Sequence, residues 1–276
     1  MSDAVLHHFR RVGQAAESAH TPPTCILLHG FMGAGRNLAS LARRWSQQDP
    51  SQHLVLVDLR GHGDSPPLPA DGGDLSLLAR DVLTLADHLQ MPSPVRLLGH
   101  SLGGRVALAA RALAPERVGE VILLDISPSP TRGRVTELDR VLEALLAAPQ
   151  WAPSRAVMRQ HFSQRGISRP LTEWLLLSLQ RGSDGVWWKV DRDRLRQLHT
   201  RAGRVDLWDA LRLAPQNTWC IRGELSGFVP DAEVERLRAA GARVDTIGDA
   251  GHFVHAQQLE ALVQLLTCEF EAESRD

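Results

Sequence analysis

The chain has 276 residues, 43% hydrophobic and 23% charged, with a net charge of −1, the balance of one large globular domain with or without an insertion. That balance argues against a general attraction to nucleic acid or to an anionic membrane surface. There is no Tyr, and Lys189 is the only Lys among 31 basic residues, which excludes a Tyr acid or nucleophile, a Lys-dependent P-loop, and a Schiff base anywhere but Lys189.

The region before residue 20 is expected to supply one or two antiparallel edge strands. CILLHG (25–30) reads as a buried strand, followed by a Gly-rich turn and a helix near 37–48. HLVLVDL (53–59) is the next strand, then a Gly/Pro loop and a helix over about 75–90. VRLLGH (95–100) and VGEVILLDI (118–126) are two more strands, separated by a helix that starts at Leu102. WCIRG (219–223) and RVDTIG (243–248) follow late, with helices near 231–240 and 256–270. Strands alternating with helices predict an α/β fold with a mostly parallel sheet, and the unbroken apolar runs predict strands covered on both faces. From about 128 to 205 the alternation stops. Leu138, Val141, Leu142 and Leu145, then Leu171, Trp174 and Leu175, follow helical spacing, with no convincing strand between them. The expected organisation is a core of 1–127 and 206–276 with a helical cap at 128–205.

Cys25, Cys220 and Cys268 are odd in number and far apart, which fits a reducing compartment rather than a disulfide framework or thiolate metal site. MSDAVLHHFRR lacks a basic region followed by an apolar core, and no run is long enough to span a bilayer, so a cytoplasmic location without membrane insertion is expected.

The strongest chemical signal is Gly99-His100-Ser101-Leu102-Gly103, a G-x-S-x-G string between a strand and a helix. A strand turning sharply into a helix strains the Ser, and its neighbours two residues away must lack side chains. Ser101 then presents its hydroxyl at a helix N-terminus, where developing negative charge is favoured. Acyl transfer also needs two backbone N–H donors for the oxyanion. Leu102 offers one, and Phe31, in His29-Gly30-Phe31 after the first parallel strand, is the best second donor. Gly33-Ala34-Gly35 lacks the third glycine of a dinucleotide fingerprint, since Leu38 takes its place. Arg60-Gly61-His62-Gly63-Asp64-Ser65 reads as a tight structural loop, and His62 has nothing near it to make it a base.

His252 is the expected base, because Asp249-Ala250-Gly251-His252 follows the last strand, where open α/β sheets place ligands. His255 three residues on makes a possible metal pair, but no third ligand stands at suitable spacing, so no metal is expected. For the acid, the loop after WCIRG reads Arg222-Gly223-Glu224-Leu225-Ser226-Gly227, with Ser226 where an Asp would be expected. Asp125, closing VILLD, is the stronger candidate, with Glu224 and Asp193 as alternatives.

Together the His-Gly-Phe loop, Arg-Gly-His-Gly-Asp-Ser, Gly-His-Ser-Leu-Gly-Gly, Leu-Asp-Ile-Ser-Pro and Ala-Gly-His segments resemble the α/β-hydrolase superfamily over nearly the whole chain. Asp125-Ile126-Ser127-Pro128 and Val186-Trp187-Trp188-Lys189-Val190 resemble its capped acyl esterase and thioesterase branch. The resemblance implies a Ser–Asp–His triad whose acid follows the sixth strand, which supports Asp125, and hydrolysis of acyl esters or thioesters without a cofactor. An apolar substrate pocket is expected from His29, His100, Trp151, Phe162, Trp187 and Trp188, with Arg192, Arg194 and Arg196 available to an anionic leaving group. Two alternatives remain: carbon–carbon bond hydrolysis with the same residues, or non-hydrolytic ligand binding on this scaffold.

Overall fold

The computed structural model describes residues 5–11, 24–131 and 137–273. The first half of the chain lays down β1 (His8–Arg11), β2 (Cys25–Leu28), α1 (Ala39–Gln48), β3 (Leu54–Val57), α2 (Leu75–His88), β4 (Val95–His100), α3 (Leu102–Leu113) and β5 (Val118–Leu124). An excursion follows, with α4 (Glu137–Leu146), β6 (Trp151–Ala152), α5 (Arg155–Ser163), α6 (Arg169–Leu176), β7 (Leu179–Arg181), β8 (Val186–Trp188) and α7 (Arg192–Ala202). The chain closes with α8 (Trp208–Arg212), β9 (Thr218–Gly223), α9 (Asp231–Ala239), β10 (Arg243–Ile247), α10 (Val254–Gln257) and α11 (Leu259–Glu273).

The main sheet runs β1-β3-β2-β4-β5-β9-β10. β1 pairs antiparallel with β3, and every other pairing is parallel. One edge strand before residue 20 is therefore present at His8–Arg11, while residues 12–23 lie outside the described residues. Alternate side chains of each strand feed opposite faces. Ile26, Val55, Leu97 and Val121 join α2 and α3 on one face, and Leu27, Leu56, Leu98 and Ile122 join α1 and α11 on the other. Two-sided burial is why these strands read as apolar runs.

The excursion departs from its expected all-helical character. Its strands form a three-stranded antiparallel sheet in the order β6-β8-β7. The Gly182–Gly185 turn closes the β7–β8 hairpin through a Gly182 N–H to Gly185 carbonyl bond of 2.9 Å. Strands of two or three residues are too short to show a period of two, so they leave no alternation to read.

The two ends of the excursion meet. Thr131 N–H donates to the Gly203 carbonyl at 2.8 Å, and Leu207 N–H to the Pro128 carbonyl at 3.0 Å. Arg105 of α3 is buried beneath them and donates to the carbonyls of Ser127 (3.3 Å), Ser129 (2.9 Å) and Ala202 (3.1 Å), and also to Val205. Farther out, Ser178 Oγ donates to the Met32 carbonyl at 2.9 Å, and Lys189 forms an ion pair with Asp64. The excursion is thereby fixed over the carboxyl ends of the parallel strands.

Candidate active site

Five loops at the carboxyl ends of β2, β4, β5, β9 and β10 build the site, at the edge where an open α/β sheet leaves a crevice. At the end of β4, Ser101 has φ 51° and ψ −114°, a strained conformation for a residue with a side chain. The neighbouring glycines are what allow it. A Cβ on Gly99 would lie 2.3 Å from the backbone of Gly103 and Gly104, and one on Gly103 would lie 2.3 Å from the Leu28 carbonyl oxygen. Helix α3 begins at Leu102, so its dipole points at the serine.

Asp125, also left-handed with φ 53°, is fully buried just after β5. Its Oδ1 accepts the Gly223 N–H at 3.0 Å, and its Oδ2 accepts both the Ser226 hydroxyl and His252 Nδ1–H, the latter at 2.7 Å. Nδ1 thus carries the imidazole proton and leaves Nε2 free to accept another. Phe228 stacks on the His252 ring with centroids 3.7 Å apart and planes at 19°. His100 Nε2–H donates to the His252 carbonyl at 2.8 Å, tying the β4 turn to the loop after β10. Burial and the neighbouring rings of His255 and His252 hold His100 well below the usual histidine pKa, so it stays neutral in this role.

The β2 loop is held by two further neutral imidazoles. His29 Nδ1–H donates to the Gly30 carbonyl at 2.7 Å, and its Nε2 accepts from Leu59 N–H at 3.0 Å. His62 donates from Nδ1 to the Arg60 carbonyl at 3.1 Å and accepts the Met32 N–H at 3.3 Å. Burial pushes His29 down to about 4 and His62 to about 3. These bonds fix Gly30 to Met32, the turn that carries Phe31. Neither Phe31 N–H nor Leu102 N–H has an acceptor among the described residues, which suits both to an incoming oxyanion.

Ser101, Phe31, His100 and His252 line one cavity, whose remaining walls are Val141, Leu171, Trp174, Phe228 and Phe253. Of the residues expected to form the pocket, the structure places only His100 there. His29 is spent on its two backbone partners below the loop. Phe162 and Trp188 are buried against each other inside the excursion with ring centroids 6.2 Å apart, and Trp151 pairs with Trp187 across β6 and β8. These four aromatics therefore stay within the excursion instead of facing Ser101, whereas Trp174 of α6 lines the cavity. The aromatic walls are Phe31, Trp174, Phe228 and Phe253, and the last two lie close to Ser226 and His252 in sequence, a proximity that marks them.

The alternative acids lie elsewhere. Glu224 accepts the Asp249 N–H at 3.2 Å, and Asp193 is exposed and faces Arg196 at 3.7 Å. The arginines of α7 are engaged as well, Arg192 with the Leu145 and Ala148 carbonyls at 2.5 Å and Arg194 with the Leu68 carbonyl at 2.8 Å. None of Arg192, Arg194 and Arg196 lines the cavity containing Ser101.

Over residues 23–259 the chain matches the alpha/beta hydrolase fold family, and it belongs to that family. It is 28% identical to esterase YbfF of Escherichia coli (strain K12) over 92% of this chain and 95% of that protein. It is 26% identical to the sn-1-specific diacylglycerol lipase ABHD11 of Mus musculus over 90% of this chain and 80% of that protein. Among solved structures, a marine microorganism esterase superposes with a TM-score of 0.80 at 25% identity, covering 95% of this chain and 98% of that one. These end-to-end likenesses place the chain among the carboxylic ester hydrolases. No helix of the described residues is long and apolar enough to cross a membrane.

Proposed function

We propose that the protein hydrolyses carboxylic esters or acyl thioesters through an acyl-enzyme on Ser101, with His252 as base and Asp125 as its orienting acid. The excursion, residues 128–205, acts as a cap that closes the reaction cavity. The observation that carries this reading is the Asp125–His252 pair at 2.7 Å opening into the same cavity as a strained Ser101.

Ser101 Oγ attacks the carbonyl carbon while His252 Nε2 takes its proton. The carbonyl electrons move onto oxygen, where the N–H groups of Phe31 and Leu102 receive the charge. When the intermediate collapses, the bond to the leaving oxygen or sulfur breaks and His252 returns the proton to that atom. Water, deprotonated by the same imidazole, then attacks the acyl carbon and frees Ser101. Asp125 keeps the tautomer correct and stabilises the imidazolium. No step requires a cofactor. Three unpaired cysteines fit a reducing compartment, and we place the enzyme in the cytoplasm.

A fluorophosphonate probe should label Ser101 stoichiometrically, since only an activated serine reacts, and Ser101→Ala should lose both label and ester turnover. Full esterase activity in Ser101→Ala sinks the proposal.

A further inference from the structure

The cavity around Ser101 has a volume of about 30 Å³. A water needs roughly 10–15 Å³ by this kind of measure, so the chamber admits only two or three small groups. Beside it opens a groove of about 570 Å³, and the two share Leu171, Trp174, Phe228, His252 and Phe253 as walls. The groove continues from His252 past Pro170, Ala256 and Gln257 to Leu225, whose side chain is 71% exposed at the surface. No Asp, Glu, Lys or Arg lines it among the described residues.

Proton transfer decides which half of the substrate lies in the groove. His252 Nδ1 is held by Asp125, so Nε2 must deliver the proton to the departing oxygen. As the C–O bond breaks, its electron pair stays on that oxygen, which accepts the proton taken from Ser101 and leaves as an alcohol. The departing oxygen therefore lies against the His252 ring, and the group attached to it points into the space that opens past His252. The acyl group stays bonded to Ser101 Oγ inside the chamber.

From these two volumes and the charge-free lining we infer that the enzyme takes esters of short acyl groups with larger, uncharged, apolar alcohols, which leave along the groove between Trp174 and Leu225. The inference rests on the ester-hydrolase reading above and adds the substrate class to it. Trp174 stands in the walls of both spaces, so it sets where the chamber ends and is a specificity-determining residue. A coenzyme A thioester would bring phosphates into a groove with no cation to receive them, because Arg192, Arg194 and Arg196 line neither space.

The test compares kcat/KM on two ester series with the full chain. Methyl and hexyl acetate vary the alcohol at nearly constant leaving-group basicity, and p-nitrophenyl acetate and octanoate vary the acyl group. Burying a methylene is worth about a factor of four, so hexyl acetate should exceed methyl acetate by at least about ten-fold even if only two of the added methylenes are buried. p-Nitrophenyl octanoate should fall at least about ten-fold below the acetate, and acetyl coenzyme A should be turned over more slowly than hexyl acetate. Trp174→Ala, which joins chamber to groove, should raise the octanoate-to-acetate ratio about ten-fold, and Leu225→Asp should lower the hexyl-to-methyl ratio. The inference is overturned if octanoate outruns acetate while hexyl and methyl acetate are equal, which would put the acyl chain in the groove, or if acetyl coenzyme A is the best substrate. Failure of the underlying reading looks different: no ester of either series is hydrolysed and Ser101 takes no fluorophosphonate label.

Discussion

Replacing Asp125 by Asn tests the proposed triad at its most buried member. The carboxylate is fully buried and accepts three hydrogen bonds, from Gly223 N–H, Ser226 Oγ–H and His252 Nδ1–H. An amide keeps one acceptor oxygen, which Gly223 N–H at 3.0 Å would retain, and turns its NH2 toward the other two partners. The Ser226 hydroxyl adapts by rotating and accepting. The imidazole cannot: facing a donor, Nδ1 must give up its proton, which moves to Nε2, the atom that has to accept from Ser101. The geometry survives and the base does not. The same substitution in the serine-protease triad lowers kcat by about 10⁴, and that case is the source of the magnitude expected here. Converted at 1.36 kcal/mol per tenfold, the loss is about 5.4 kcal/mol of transition-state stabilisation. The assay is kcat on p-nitrophenyl acetate, run beside thermal unfolding to show that the variant is folded. Glu224→Gln should lose less than about ten-fold, because Glu224 only accepts one backbone N–H at 3.2 Å, and Asp193→Asn should change nothing measurable. An Asp125→Asn enzyme that keeps a tenth of its activity, or an equal loss in Glu224→Gln or Asp193→Asn, refutes the assignment.

Other substitutions probe the supports of the site. Ser226→Ala removes one donor from a buried carboxylate, and a loss of about 1.5–3 kcal/mol, some ten- to 150-fold in kcat, is expected; unchanged kcat would show that Asp125 does not need it. Gly99→Ala and Gly103→Ala each drive a Cβ to 2.3 Å from backbone that cannot retreat, and should prevent soluble expression, whereas Gly227→Ala, with nothing within 4 Å, should fold and melt like wild type. Arg105→Met should lower stability by at least about 3 kcal/mol in urea unfolding, since it strips a charged donor from carbonyls at both ends of the excursion. Buried His29, His62 and His255 stay neutral in the fold, with pKa values of about 4, 3 and 4, against 6.5 when unfolded. Between pH 6.5 and about 4 the unfolded chain binds the extra protons, so this stability is whole above pH 6.5 and is lost as the pH falls. Each histidine contributes up to about 1.4 kcal/mol per pH unit over that window. Equal urea midpoints at pH 7 and pH 5 would contradict the neutral assignments.

What the sequence makes legible depends on how locally each feature is encoded. The apolar runs of β2 and β4 announce strands buried on both faces, and Gly99 to Gly103 encode the serine turn, because the clashes that forbid side chains there lie within five residues or on the adjoining strand. The acid is a longer-range matter. Asp125 and His252 are 127 positions apart, and nothing near Asp125 in sequence reveals its left-handed backbone. The useful sign was Ser226: a hydroxyl where a carboxylate is expected is suited to donate to an acid on the neighbouring strand, and its bond to Asp125 Oδ2 is that arrangement. The pocket was illegible for the opposite reason. Counting Trp and Phe between residues 128 and 205 identifies a hydrophobic core without saying which cavity it faces, and Trp188 and Phe162 turn out to stabilise the excursion itself. Trp174 differs from them in position alone. It lies on a helix whose opposite face, Leu175 and Leu176, is already buried, which leaves the indole toward Phe253 at a ring separation of 5.2 Å and so toward the catalytic loop. Side chains that an excursion needs for its own folding are unavailable to the substrate; those left over after its core is filled define the specificity of the site.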